Sequence, residues 1–386
     1  MKDIIFYKAM PLLAMIFLSF ITLFKSVIFL VISLFLILPY LIHRFSIITK
    51  NKYFSLFFFL VLLGSIFDLF GTQNGIGGTI NFIVAVGLTI FCVENVNYSR
   101  YMVLALCLYT LYFVYTSIFV LDINPNAVFE DVGVSRNYPG FLMIACCCYW
   151  GYFKYIKTGY LPLILPILCT IIAFYLDGRS SLGILFVFSL FCLYYRFRKI
   201  VIVFAGILCF IVLYFLSDIL FLYSLTNIGN NGLETERYEI WSAYFDNIDL
   251  FSFILGLETK DVAIIRSVDG NPHNAFLNYH YRMGLFGVIG LFIIIYKSVR
   301  VLLEHKKYVL LFLVSLLLLR IFFDTCLNLS TDYILYTLFM YPLICNNKVF
   351  RKQRCSPPKM LKRYGKASKY VENISIKILK IVEKNI

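Results

Sequence analysis

Residues 223–273, YSLTNIGNNGLETERYEIWSAYFDNIDLFSFILGLETKDVAIIRSVDGNPH, decide how the rest of the chain is read. They carry eight acids (Glu234, Glu236, Glu239, Asp246, Asp249, Glu258, Asp261 and Asp269) against Arg237, Lys260 and Arg266. Almost everything around them is apolar. A polar excursion of this length is either functional or disordered. This one has side chains to pack, among them Ile240, Trp241, Tyr244, Phe245 and Ile248. It therefore reads as a folded cap over a membrane-embedded site.

The composition fits that reading. The chain of 386 residues is 61% hydrophobic and 15% charged, whereas a soluble domain is about 45–50% apolar and about 25% charged. An all-α, polytopic membrane protein is the class that fits. The cysteines form no CxxC pair; Cys146, Cys147 and Cys148 are adjacent, and most others lie inside apolar runs. They read as small buried hydrophobes, and no zinc site is expected. The first residues lead straight into an apolar run without a small-residue cleavage site, so a first span is expected there instead of a removed signal peptide.

A bilayer core needs roughly 20 helical residues. Apolar runs of suitable length fall near 9–24, 26–42, 53–70, 77–93, 101–121, 139–153, 160–176, 181–195, 200–222, 274–296, 308–323 and 333–346. The expected architecture is about 12 transmembrane helices (10–12) within residues 1–346, with 223–273 as the large extracytoplasmic loop. Several runs are short, which points to tilted or partly re-entrant helices. With a cytoplasmic N-terminus, alternating spans put Arg44, Lys50, Arg100, Lys154, Arg196, Lys297 and Arg300 inside. The outside keeps only Lys25, Arg136, Arg179, Arg237, Lys260 and Arg266. That segregation follows the positive-inside rule. Residues 347–386 form a basic cytoplasmic tail with twelve Lys/Arg and two Glu. Its last part pairs Lys377, Lys380 and Lys384 with Ile374, Ile378 and Ile381 on opposite helical faces, an amphipathic helix for an anionic membrane surface. Membrane lipids are its expected partner, and nucleic acid is not.

The few outer arginines sit at span boundaries. Arg136 precedes Asn137-Tyr138-Pro139-Gly140, Arg179 stands in the tight turn Asp177-Gly178-Arg179-Ser180, and Arg237 precedes Tyr238 and Trp241. His273 opens the tenth span, followed by Asn274, and Arg282 lies nine residues on. Ionisable residues at membrane depth are functional candidates. Guanidinium grips phosphate oxygens bidentately and keeps its charge. A histidine beside such a cluster can take a proton, because its ordinary pKa of about 6.5 lies near working pH. A pyrophosphate-bearing lipid under a polar cap fits the set, with Tyr238 and Trp241 suited to a sugar. Each residue also has a plainer role: Arg179 as turn partner of Asp177, Arg136 as an interfacial anchor, Arg237 as a surface ion pair. Arg320 with Asp324 reads as structural, and His280 as packing.

These pieces resemble the O-antigen polymerase and O-antigen ligase superfamily of bacterial envelope glycosyltransferases. The matching elements are Arg136-Asn137, Asp177-Gly178-Arg179-Ser180, Arg237-x-x-x-Trp241 with Leu255-Gly256, and Pro272-His273-Asn274-x-x-Leu277 with Tyr281-Arg282-x-Gly284. They occur in the family's order over roughly residues 130–300. The resemblance implies a multi-pass protein of the bacterial inner membrane. It would take a glycan from an undecaprenyl-diphosphate-linked oligosaccharide at the outer face, without a metal or other cofactor. His273, Arg179 and Arg237 would be catalytic, with Arg136, Asp177, Tyr238, Trp241, Asn274 and Arg282 binding substrate. A polymerase of a repeat-unit polysaccharide (O-antigen or capsule), working beside a flippase and a chain-length regulator, is the leading expectation. A ligase acting on lipid A–core is the nearest rival, and a lipid-linked oligosaccharide flippase the rival from another class.

Overall fold

A computed structural model of the chain describes residues 8–24, 27–71, 75–124, 137–176, 179–214, 236–267, 272–322 and 331–345. Arg136, Asp177, residues 223–235 and the basic tail therefore lie outside the described residues, as does Asp324. Among the described residues there is no strand. The first half holds α1 (Met10–Phe24), α2 (Val27–Lys50), α3 (Lys52–Gly71), α4 (Gly75–Glu94), α5 (Val96–Tyr115), α6 (Asn137–Thr158) and α7 (Ile164–Tyr175). The second holds α8 (Arg179–Tyr214), α9 (Glu236–Asp246), α10 (Leu250–Leu255), α11 (Ala263–Arg266), α12 (Ala275–Glu304), α13 (Tyr308–Phe322) and α14 (Asp332–Cys345).

Among the described residues, each of the twelve apolar runs overlaps helix, though residues 215–222 of the ninth run lie outside the described residues and 160–163 of the seventh are not helical. Five helical stretches are long and apolar enough to cross a membrane: Val27–Lys50, Gly77–Glu94, Val96–Val120, Ser180–Arg198 and Ala275–Glu304. Others are shorter. At 1.5 Å per residue the twelve residues of α7 reach only about 18 Å, well short of a hydrocarbon core of about 30 Å. The eighth and ninth runs are joined in the single helix α8, which bends where Phe197 leaves helical geometry (φ −130°, ψ 45°). That bend falls inside the basic stretch Arg196–Lys199.

Burial sorts the helices. α6 and α14 are covered on nearly every side, from Tyr138 to Tyr149 and from Asp332 to Leu343. A helix apolar all round belongs in the centre of a bundle. α2 and α5 instead present Phe35, Ile42, Tyr101 and Tyr112 outward. α3 runs along α12, where Gly64 meets the carbonyl of Met283 and Gly290 meets Leu60 and Val61. Small residues allow such close backbone approach without a hydrophobic drive in lipid. At one end of the bundle Arg44 pairs with Glu94 at 3.1 Å, and Tyr40 donates to the same carboxylate at 2.6 Å. Near them Arg100 stacks between Tyr101 and Trp150, at 4.7 and 5.0 Å from the ring centroids.

One helix departs from the span read in the sequence. α12 is broken at Gly284 (φ 56°, ψ −166°), a conformation open only to glycine. Phe276 stacks on Phe292 with ring centroids 5.3 Å apart and planes within 11°. Along an unbroken helix those residues would lie about 24 Å apart. Residues 275–283 therefore double back beside residues 285–304. The second part, about 30 Å long by its helical rise, can span alone. The first is a half-helix folded back against it.

Candidate functional site

The half-helix begins in a specific cap. Asn274 is its N-cap (φ −149°, ψ 124°), and its side-chain oxygen accepts from the amides of Phe276 at 2.8 Å and Leu277 at 3.2 Å. Asn is among the best residues for this, because its oxygen satisfies amides that have no helical partner. His273 therefore does not open the helix. It stands just before the cap, in the left-handed region (φ 48°). Such a conformation is uncommon outside glycine and costs of order 1–3 kcal/mol, so the surroundings must enforce it. Trp241 supplies part of that enforcement, since its indole N–H donates to the Pro272 carbonyl at 3.0 Å.

Residues 236–267 form a helical insert with a small core of its own. Ile240, Tyr244, Leu257, Val262 and Ile265 pack with Leu277 of the half-helix. Asp249 starts α10 in a capping box with Ser252, accepting from its amide at 2.7 Å while the Ser252 hydroxyl accepts from the Asp249 amide at 2.9 Å. The Ser252 hydroxyl also donates to Asp249 Oδ1 at 2.6 Å, and this bond, with the one from the Ser252 amide, favours the charged form and holds the Asp249 carboxyl below its usual range. Burial pushes the Tyr244 hydroxyl the other way, above the usual tyrosine range.

Several contacts fasten the insert to the half-helix. His280 Nε2 lies 2.8 Å from the Phe253 carbonyl, which can only accept, so Nε2 carries the proton. Nδ1 then accepts from the Tyr244 hydroxyl at 2.8 Å. The Tyr281 hydroxyl donates to Glu258 at 3.4 Å. Finally, two glycines face each other. A Cβ on Gly256 (φ 104°) would lie 2.5 Å from the Tyr281 carbonyl oxygen, and one on Gly284 would strike the Ile254 carbonyl. The pairs Leu255-Gly256 and Tyr281-Arg282-x-Gly284 are thus two halves of one backbone contact.

A pocket of about 500 Å³ opens where insert, half-helix and α13 meet. Trp241, Phe245, Asn274, Phe292, Leu318 and Phe322 contribute to a wall that is almost wholly apolar. Trp241 packs edge-on against Phe322, centroids 5.6 Å apart. Two residues below Phe322, the fully buried Arg320 donates through Nη2 to the Asn137 carbonyl at 3.1 Å. Asn137 begins α6, and three residues on Gly140 leaves room for Ser181 of α8, whose Cβ lies 2.7 Å from where a Gly140 Cβ would be. The end of α13 therefore links the insert to the starts of α6 and α8.

The candidate residues separate accordingly. Trp241 and Asn274 line the pocket and His273 lies beside it. Arg237, half-buried, stands one turn before Trp241 on α9, while Tyr238 points away and is 76% exposed. Arg282 is half-buried near the far end of the half-helix, about 12 Å of helical rise from Asn274. Arg179 is the first residue of α8, two positions before Ser181, and its side chain lies outside the described residues. Sequence reasoning passed over His280 as packing and did not single out Asp332, which is buried and accepts from Asn81 at 3.3 Å. An acid opening an apolar run was the available signal for Asp332; nothing local marked His280. The chain matches no protein-family model, no curated protein and no solved structure.

Proposed function

We propose that the protein is a polymerase of a repeat-unit surface polysaccharide, O-antigen or capsule, acting at the outer face of the bacterial inner membrane. In this reading the chain crosses the membrane about twelve times and the insert is extracytoplasmic. The observation that carries it is the folded-back half-helix. Its N-terminus, capped by Asn274 and flanked by His273, opens beside an apolar pocket beneath a polar insert. Irregular backbone at membrane depth is tolerated where it is buried in protein or lines a cavity. Half-helix N-termini in membrane proteins are suited to anions, because unpaired amides and the helix dipole point there.

The chemistry follows from those parts. The pocket receives the first isoprene units of a polyprenyl diphosphate, and the half-helix N-terminus with Arg237 and Arg179 holds the diphosphate. Arg136 extends that grip, while the Asp177 carboxylate accepts hydrogen bonds from sugar hydroxyls of the substrate. A sugar hydroxyl of the acceptor attacks the anomeric carbon of the donor glycan. Its proton passes to His273, the bond from the anomeric carbon to the diphosphate oxygen breaks, and undecaprenyl diphosphate leaves. Trp241 offers an aromatic face to the sugars, whereas Tyr238, which points away, takes no part. General-base assistance of this kind is worth about 10²–10⁴-fold in rate.

The test is an assay of purified protein with lipid-linked repeat units, using His273→Gln and Arg179→Lys. Both should lose long chains while the protein stays folded, because an amide cannot take up the proton and an ammonium cannot reproduce the guanidinium fork. Wild-type chain lengths in both would remove the mechanism. Transfer to lipid A–core with no chain growth would make the protein a ligase. Movement of the lipid-linked unit across a vesicle without transfer would make it a flippase, a reading favoured by the broken helix α12 and the bend in α8.

A further inference from the structure

Three cysteines from three helices converge inside the bundle, away from the pocket. Cys107 lies on α5, Cys147 on α6 and Cys169 on α7, and all three are fully buried. Cys147 Sγ is 3.4 Å from Cys169 Sγ, and Cys107 Sγ is 3.9 Å from Cys169 Sγ. All three sulfurs lie within 4.8 Å of one another. Filling space in a helix bundle needs small apolar residues, but it does not need their sulfurs to meet. Other buried cysteines, such as Cys92 and Cys192, lie outside this cluster.

We propose that Cys107, Cys147 and Cys169 bind one Cu(I) ion and so tie α5, α6 and α7 together. The geometry is that of a three-coordinate site. With metal–sulfur bonds of about 2.3 Å, three sulfurs in a plane around one ion are about 4.0 Å apart. The observed separations of 3.4 and 3.9 Å, with the third within 4.8 Å, need changes of no more than about 0.8 Å to reach that geometry. The donor set is sulfur alone, and soft thiolates select Cu(I). Zinc in structural sites takes four ligands, and among the described residues the cluster holds three. Loading moves no electron. Each thiol that becomes a thiolate gives its proton to the aqueous phase as Cu(I) takes its place. The site stands apart from the proposed transfer chemistry and serves assembly of the bundle.

The test titrates the detergent-solubilised full chain with Cu(I) under argon against a chromogenic Cu(I) chelator, with X-ray absorption at the copper edge. The expected result is one tightly held Cu(I) per chain, with sulfur-only scattering near 2.3 Å and a raised melting temperature. Cys147→Ser, which keeps the volume, should weaken retention by at least 100-fold, beyond the loss of about 10–100-fold typical of outer-shell changes. Cys92→Ala should leave retention unchanged. Should Cys147→Ser misfold, Cys169→Ser and Cys107→Ser give the same reading separately. Equal retention by folded serine variants, retention of Zn(II) in place of Cu(I), or a Cys147–Cys169 disulfide without metal would each overturn the proposal.

Discussion

Gly284→Ala tests the feature on which the proposed site depends. At φ 56° and ψ −166° any side chain is strained, which costs of order 1–3 kcal/mol. The added methyl would also strike the Ile254 carbonyl and sit 3.0 Å from the Leu255 carbonyl carbon. Relief requires either straightening α12 or lifting α10 away. Both undock the insert from the half-helix. From backbone strain alone the docked population should fall about 5–150-fold relative to the undocked one, and the clash adds to that. The readout is built in, because the chain has two tryptophans and Trp241 sits at the interface, bonded to Pro272. In a Trp150→Phe background, Gly284→Ala should shift Trp241 emission to the red and increase acrylamide quenching. It should also open residues 236–267 to protease. Polymerisation should fall in parallel. A folded Gly284→Ala protein with unchanged emission, quenching and proteolysis would refute the folded-back geometry.

The other expectations concern smaller pieces. Tyr244→Phe leaves His280 Nδ1 buried without its donor and should destabilise insert docking by about 1–3 kcal/mol; combined with His280→Gln the two effects should be non-additive by at least 0.5 kcal/mol in a double-mutant cycle, whereas simple additivity would break the pairing. Asp249 has a depressed carboxyl pKa, so its capping contribution is present above the ordinary aspartate range and is lost as pH falls through the lower folded value; insert protection followed by hydrogen exchange should therefore weaken with acid in the wild type and be pH-independent in Asp249→Ala. Trp241→Phe keeps a ring against Phe322 but loses the bond to Pro272, so turnover should drop further than thermal stability.

How much of this was legible in the sequence depends on the range of the interactions. Apolar runs report burial or lipid contact residue by residue, so the all-helical class was legible, and five of the helical stretches are long and apolar enough to cross a membrane. The fold-back of α12 was not legible from hydropathy, since Ala275–Glu304 reads as one apolar stretch. Its cause is one glycine whose constraint comes from Ile254, thirty residues earlier. Asn274, in contrast, lies in a local pattern, Pro-His-Asn before an apolar run, and its capping role is decided within three residues.

The same distinction explains why the short motifs are spaced as they are. Leu255-Gly256 and Tyr281-Arg282-x-Gly284 look unrelated in sequence, yet each glycine removes a Cβ that the other segment's carbonyls would meet. Neither is useful without the other. Asn137 and Gly140 at the start of α6 likewise answer Arg320 and Ser181 on two other helices. What links these pairs is a requirement for close backbone approach around one pocket, beside the one place where a half-helix N-terminus and a left-handed histidine adjoin. A site that only sealed the bundle would need packing there. It would not need His273 held at a cost of order 1–3 kcal/mol, with Trp241 fixing the adjacent carbonyl. If that strain serves chemistry, His273→Gly should relieve it and raise thermal stability while activity disappears. A glycine variant that is both less stable and no less active would show that the conformation serves packing alone.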